Sequence, residues 1–461
     1  MKTLVWLRTD LRVSDNSALL SATEAGQVAV CYIPALEQHQ EHDTGLPRLK
    51  YLEATVRALS LELAKLGIPF ELLDAARFDD APAALVNHAK NIGANTIAFN
   101  NEYPWNERKR DNAVVSMALA SGLKVARYDD DVILSPGTVT TQQGAPFRVF
   151  TPFKRRWLSL INPTLLEPLP QPEPIGTALA PTPVDFGLAA DPDFSQEAGE
   201  HAGQQRLHAF LDANIDTYAT GRDHPALEHT SRLSPYLSVG ALSIRQSCHA
   251  AYNANDGRLA AGPLASWINE LIWREFYRHV TALFPRVSRN RNFNPKADAL
   301  PWRDAPQDLE AWQKGETGYP FVDAGMRQLN ETGWMHNRLR MVTAAFLSKH
   351  LLIDWRHGEE YFMRHLIDGD FASNNGGWQW SASTGTDAMP YFRIFNPNRQ
   401  GEKFDRDGLF TLRYLPELAA LPTAHLYKPE RYPLDVRYPT PIVDHDFARQ
   451  RALATFKAAL G

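Results

Sequence analysis

Through the first 128 or so residues, short apolar runs alternate with longer amphipathic ones. The runs TLVWL, QVAVCYI, PFELL, NTIAF and LKVARY predict strands, and residues 16–25, 47–67, 81–93 and 106–121 predict the helices between them. This β-α-β-α rhythm implies a doubly wound, Rossmann-like parallel sheet covered on both faces. The turn after the first strand, LRTDLRVSDN, lacks G-x-G-x-x-G, so a dinucleotide held through that fingerprint is not expected there. From about 129 to 200 the periodicity dissolves. Residues 162–193, rich in proline, alanine and leucine, read as an extended interdomain linker with polyproline character. Just before them, TPFKRRWL at 151–158 reads as a solvated helix start, with a nucleic-acid contact as the alternative. After residue 200 the pattern is helical throughout: 202–211, 243–253, 265–283, 321–330, 337–349, 359–366 and 447–460 carry a 3.6-residue period. The expected plan is an α/β domain over 1–128, a linker over 129–200 and an all-α domain over 201–461.

Composition narrows the class. At 461 residues the chain has room for two or three cored domains, and 44% hydrophobic with 22% charged residues describes an ordinary soluble protein. No apolar run is long enough to span a membrane, and the charged opening MKTLVWLRTDLR is not a secretory leader. Cys31 and Cys248 stand far apart, so no disulfide framework or metal cluster is expected; a reducing, cytoplasmic setting and a monomer fit. A net charge of −5 argues against coating nucleic acid nonspecifically, so any DNA site must be a local basic patch. Eight of the eleven tryptophans fall between 267 and 380, which focuses the search for chemistry on that region.

Four stretches there mix unusual residue types. Thr230-Ser231-Arg232-Leu233-Ser234 offers hydroxyls, an arginine and backbone N–H groups ahead of a helix. That set suits a pyrophosphate, or simply caps the helix. In WINELIWREFY, helical spacing puts Trp267, Glu270, Trp273, Arg274 and Tyr277 on roughly one broad face. A carboxylate among aromatics is either paired with an arginine or serves as a polar hook in a pocket for flipped-out bases. GWMHNRLRM carries Asn337, Arg338 and Arg340, whose donors suit phosphates or bases as readily as internal ion pairs. Finally Asp368-Gly369-Asp370 precedes Asn374-Asn375-Gly376-Gly377, read as a tight turn allowing close approach to a flat ligand, and then Trp378 and Trp380.

Taken together, NELIWREFY, TGWMHNRLRM and NNGGWQWSASTGTD resemble the photolyase and cryptochrome family, and the chain is most similar to its class I, folate-type bacterial cyclobutane pyrimidine dimer (CPD) branch. The resemblance implies that FAD, active when reduced, is held by Tyr218, Thr230, Ser231, Arg232, Leu233, Ser234, Trp267, Asp368, Gly369, Asp370 and Asn374, with Asn374 facing flavin N5. It implies that Glu270, Trp273, Met341 and Asn374 act on the dimer, and that Trp302, Trp355 and Trp378 relay electrons. Arg222, Glu270, Trp273, Arg274, Tyr277, Asn337, Arg338, Leu339, Arg340 and Gln400 match DNA-contacting positions. Asn106 and Glu107, with Arg108, match a segment that holds a 5,10-methenyltetrahydrofolate antenna; Ser288 and Arg289 depart from the folate-type pattern, leaving a deazaflavin or no antenna open. The implied activity is light-driven: an electron from excited reduced flavin splits a dimer in UV-damaged DNA and returns. A signalling cryptochrome and a (6-4) photoproduct enzyme are the alternatives, and Met341 reads against the second.

Overall fold

The computed structural model describes residues 2–189 and 196–460. These fall into two compact units: residues 1–216, 231–288 and 368–372, and residues 217–230, 289–367 and 373–461.

The first unit is built on five parallel strands: β1 (Lys2–Leu7), β2 (Gln27–Tyr32), β3 (Phe70–Leu72), β4 (Thr96–Asn100) and β5 (Lys124–Tyr128), in the order β3-β2-β1-β4-β5. Thr3 pairs with Val28 on one side and Thr96 on the other, so β1 is central, and Leu4 to Leu7 are buried. Being covered on both faces is why these strands read as unbroken apolar runs. Helices Ser17–Ala25, Leu46–Lys65, Ala81–Asn91 and Trp105–Ala120 lie where the amphipathic stretches predict, and Asn16 caps the first by accepting from the Leu19 N–H. A short helix, Leu36–Glu41, was not legible, because Ala35 enters it through a left-handed conformation at φ 45°.

The strand order reverses between β1 and β4, the place where doubly wound sheets open a crevice beyond their carboxyl ends. Here charged side chains fill it. Arg8 pairs with Asp111 at 3.1 Å and with the Asn100 carbonyl, Asp10 accepts from Asn100 Nδ2 at 2.6 Å, and Arg12 pairs with Asp130. The cavity left is about 10 Å³, room for about one water.

The segment read as an extended linker is packed over much of its length. Helix Phe150–Leu160 buries Phe150, Phe153 and Trp157 while Thr151, Arg155, Arg156 and Ser159 face water, so the basic stretch opens a helix that is packed on one face and solvated on the other. Residues 167–189 hold no helix or strand but run along the Leu46–Lys65 helix, with the Leu179 N–H on the Ala64 carbonyl at 2.9 Å and the Phe186 N–H on Glu53 at 2.8 Å. Residues 190–193 of that stretch lie outside the described residues.

The second unit is helical. Its core gathers Trp312, Phe321, Phe346, Trp355, Phe362, Trp378 and Phe410. Helix Asn337–Ala345 continues into a π-helical turn, Phe346–His350, where sequence periodicity predicts one α-helix to 349. Helix Trp355–His365 is capped by Asp354, and the terminal helix His445–Leu460 seats Phe456 against Leu300 and Leu352. The Asn374–Gly377 stretch, read as a turn, is interior to a helix, Phe371–Ser381. Two glycines lower helix propensity, but Trp378, buried to 2%, anchors the helix by packing.

Candidate active site

In the first unit, residues 231–233 lie outside any helix or strand ladder and lead into helix Ser234–Val239; Thr230, just before them, ends a segment of the second unit. Arg232 takes a left-handed backbone (φ 52°), and the Ser231 carbonyl is fixed by Arg206 Nε at 2.8 Å. The long helix Ala265–Leu283 carries the aromatic stretch as predicted, although its five residues do not share one environment. Trp267 is buried against Phe210, with ring centroids 5.1 Å apart. Glu270, Trp273, Arg274 and Tyr277 are half-buried. One face of Trp273 is covered by Phe150, stacked at 3.7 Å and 8°, and Tyr277 leans on Trp273 at 5.5 Å. Arg274 is engaged internally, donating to the Asp131 carboxylate, to its carbonyl at 2.8 Å and to the Leu237 carbonyl at 3.2 Å.

The carboxylate buried in this helix is Glu275. It accepts from the Ile133 and Leu134 N–H groups at 2.9 and 3.0 Å and from Trp157 Nε1 at 2.6 Å. Burial raises its pKa while those donors pull it back. Asp370 is gripped by the two terminal nitrogens of Arg278, at 2.9 and 2.6 Å, and Arg278 Nε reaches Asp131 at 3.1 Å. Burial depresses the Arg48 pKa, and the charges of Asp370 and Asp368 oppose that shift. A bidentate fork of this kind fixes a carboxylate's plane as well as its charge.

In the second unit, Tyr218 is buried beneath Arg222, whose guanidinium lies 5.3 Å above the ring. Exposed Asn337 turns its amide toward Met341 Sδ at 3.8 Å. Arg338 pairs with Asp223 at 2.8 Å and covers Phe404; Arg340 Nε donates to the Met335 carbonyl at 2.8 Å. Leu339, between them, is fully buried in the core, so its side chain serves packing and not a DNA face. Gln400 is half-buried on the short helix Pro397–Phe404. Asn374 Nδ2 donates to the Glu359 carbonyl at 3.0 Å, and Asn375 Nδ2 to the Glu359 carboxylate at 2.8 Å. These bonds tie both amides to Glu359. Trp355 is fully buried and donates to Asn292 at 2.9 Å; Trp302 is half-buried against Phe456; Trp378 is buried with its Nε1 unpartnered.

A family model for the FAD binding domain of DNA photolyase matches residues 267–458, and one for DNA photolyase matches residues 3–173. A deoxyribodipyrimidine photo-lyase of Salmonella typhimurium is 44% identical over 99% of this chain and 98% of its own. The chain belongs to the DNA photolyase family. Among solved photolyase structures, a bacterial class III enzyme from Agrobacterium tumefaciens superposes with a TM-score of 0.89 at 38% identity, covering 99% of this chain and 97% of that one. An archaeal photolyase from Sulfolobus tokodaii, solved with two FAD molecules, gives 0.84 at 30%, covering 99% and 100%.

The donor set fits a flavin dinucleotide. In the first unit, Ser231 to Ser234 offer hydroxyls and N–H groups suited to a pyrophosphate, and Asp370 is an acceptor preset by Arg278. Taken by itself, the second unit offers the buried Trp378 indole N–H, which has no protein partner. Where the sequence suggests an antenna site, Asn106 Nδ2 meets His42 Nε2 at 2.9 Å, and Glu107 lies 3.7 Å from His42 Nδ1. Burial, and the nearby Glu102, raise the Glu107 carboxyl to about 7. Ser288, which departs from the folate-type pattern, accepts from the Trp105 N–H at 3.2 Å, and Arg108 donates to the Ala282 carbonyl.

Arg48, Phe150, Glu275 and Arg278 were missed from sequence. Only Arg278 left a signal: it lies one helical turn beyond Arg274, so both can reach a single acid, Asp131.

Proposed function

We propose that this photolyase splits cyclobutane pyrimidine dimers in UV-damaged DNA, using light absorbed by FAD. The observation that carries this is the joint presence of Glu270, Trp273, Met341 and Asn374 in a chain 44% identical, end to end, to a deoxyribodipyrimidine photo-lyase. Reduced FAD, when bound, supplies a light-driven electron to the dimer and takes it back, so no net redox change results.

The chain's residues do the rest. Thr230, Ser231, Arg232, Leu233, Ser234, Trp267, Tyr218, Asp368, Gly369 and Asp370 hold the cofactor. Asn374, neutral and fixed through Glu359, offers flavin N5 a hydrogen-bond partner without adding charge. Trp273, its plane set by Phe150, stacks on the flipped pyrimidines, and Glu270 hydrogen-bonds their edge. Met341 packs on the dimer, Arg222, Asn337, Arg340 and Gln400 meet the flanking DNA, and phosphate contacts dominate affinity. Trp302, Trp355 and Trp378 bring electrons that reduce the resting flavin.

The antenna we assign is 5,10-methenyltetrahydrofolate, beside Asn106 and Glu107. We further propose the division into antenna domain (1–128), linker (129–200) and FAD domain (201–461), a class I subtype, a monomer and a cytoplasmic location. Among the described residues no helix is long and apolar enough to cross a membrane. The substrate assignment is tested with two oligonucleotides, one carrying a cyclobutane dimer and one a (6-4) photoproduct. Repair of the first alone is expected; repair of the second alone would overturn it.

A further inference from the structure

Trp378 makes its ring contacts away from the tryptophans expected to follow it. Among the described residues its aromatic neighbours are Phe362, at 4.9 Å, and Trp312, at 6.0 Å and 73°; Trp355 and Trp302 are not among them. Trp312 is fully buried, its Nε1 held by the Thr343 carbonyl at 3.1 Å. It also meets Tyr361, with centroids 5.7 Å apart at 63°. Edge-to-face contact at these separations is van der Waals contact between π-systems. Tyr361 is half-buried, and its hydroxyl donates to Asn330 Oδ1 at 2.9 Å, at a position open to solvent, and to the Gln313 carbonyl at 3.1 Å. The His365 ring stacks on it at 4.0 Å. Three oxidisable rings thus run in unbroken contact from the buried Trp378 to the surface.

Electrostatics favour this branch. Trp355 carries the Arg356 guanidinium 4.7 Å from its ring centroid, and a cation there opposes formation of an indole radical cation, although Asp354 offsets part of that charge. Among the described residues no cation lies over Trp312 or Tyr361.

We propose that Trp378, Trp312 and Tyr361 form a second electron-supply route to the flavin, ending in a redox-active tyrosine. This rests on the reading of Trp378 as the donor next to the flavin. The balance is one electron. Trp378 would give it to light-excited oxidised flavin, when bound; Trp312 then refills Trp378, and Tyr361 refills Trp312. Tyr361 loses its phenolic proton to water beside Asn330, becoming a neutral radical that an external thiol then reduces. Burial raises the Tyr361 pKa, so the phenol starts protonated and proton loss accompanies its oxidation.

The test is electron paramagnetic resonance, with transient absorption, on flavin-loaded oxidised protein flashed with blue light in the absence of reductant. A tyrosyl radical is expected in the unsubstituted protein, and its loss in both Tyr361→Phe and Trp312→Phe. Tyr361→Phe sits at the surface and guards against a packing failure of Trp312→Phe. A tyrosyl signal that persists in Tyr361→Phe, or none in the unsubstituted protein, overturns the proposal. Trp378→Phe separates the two levels. If flavin still photoreduces in that variant, the donor assignment itself fails; if it does not, yet Tyr361→Phe changes nothing, only the branch fails.

Discussion

Gly358 offers a way to move Trp378 without touching it. It sits in helix Trp355–His365, and a Cβ built on it would lie 2.1, 2.5 and 2.6 Å from Cη2, Cζ3 and Cζ2 of the Trp378 indole. The indole is hemmed in by Phe362 and Trp312, so it has no space to retreat. In an open helix, Gly→Ala would stabilise by about 1 kcal/mol. Here the overpacking costs about 1–3 kcal/mol, leaving Gly358→Ala neutral to about 2 kcal/mol destabilising. Trp378→Phe removes the three carbons in question, so in that background Gly358→Ala should instead stabilise by about 1 kcal/mol. The coupling is then about 1–3 kcal/mol, in the range of contacting residues. The assay is urea unfolding of the four proteins at saturating FAD, which keeps cofactor linkage constant. An equal effect of Gly358→Ala in both backgrounds would refute the contact, and with it the argument that this glycine exists to seat the indole.

Other consequences are open to direct measurement. Trp378→Phe should block photoreduction of oxidised flavin while leaving repair by prereduced enzyme largely intact; loss of both would show that Trp378 does more than relay electrons. Glu270→Ala should lower repair yield far more than flavin content, read as repair per bound FAD, and an apoprotein product would count against its assignment to the dimer. Burial pulls Lys349 down to about 7 from its ordinary 10.5. The unfolded chain therefore binds the extra proton between about pH 7 and 10.5, and stability should rise with pH across that window. Lys349→Met should flatten this rise in unfolding free energy against pH, and an unchanged slope would refute it. Affinity for dimer-containing DNA should fall steeply with salt, and a flat dependence would contradict a phosphate-dominated interface.

How much of this was readable beforehand depends on whether the signal was local. All five strands were located to within one or two residues, because apolar runs in a parallel sheet need no knowledge of neighbours. Their order depends on crossover direction, which pattern does not encode. The Asn374–Gly377 stretch misled for a related reason. Its residues favour a turn, but Trp378 and the Asn374–Glu359 and Asn375–Glu359 bonds, made across 15 and 16 residues, hold it in a helix. Leu339 was given as a DNA-contacting position by the family resemblance alone, and helical geometry turns its side chain into the core. Arg48 and Phe150 lie more than a hundred residues from the groups they position, so no spacing rule could reach them.

The central claim is light-driven repair, and one experiment meets it head on. Purified, reduced, flavin-loaded protein is mixed with DNA carrying thymine dimers and kept in near-UV or blue light, with an identical sample in the dark. Thymine absorbance should recover in the illuminated sample only. No recovery in the light, with flavin demonstrably bound and reduced, would contradict the account and point to a photoreceptor on the same fold.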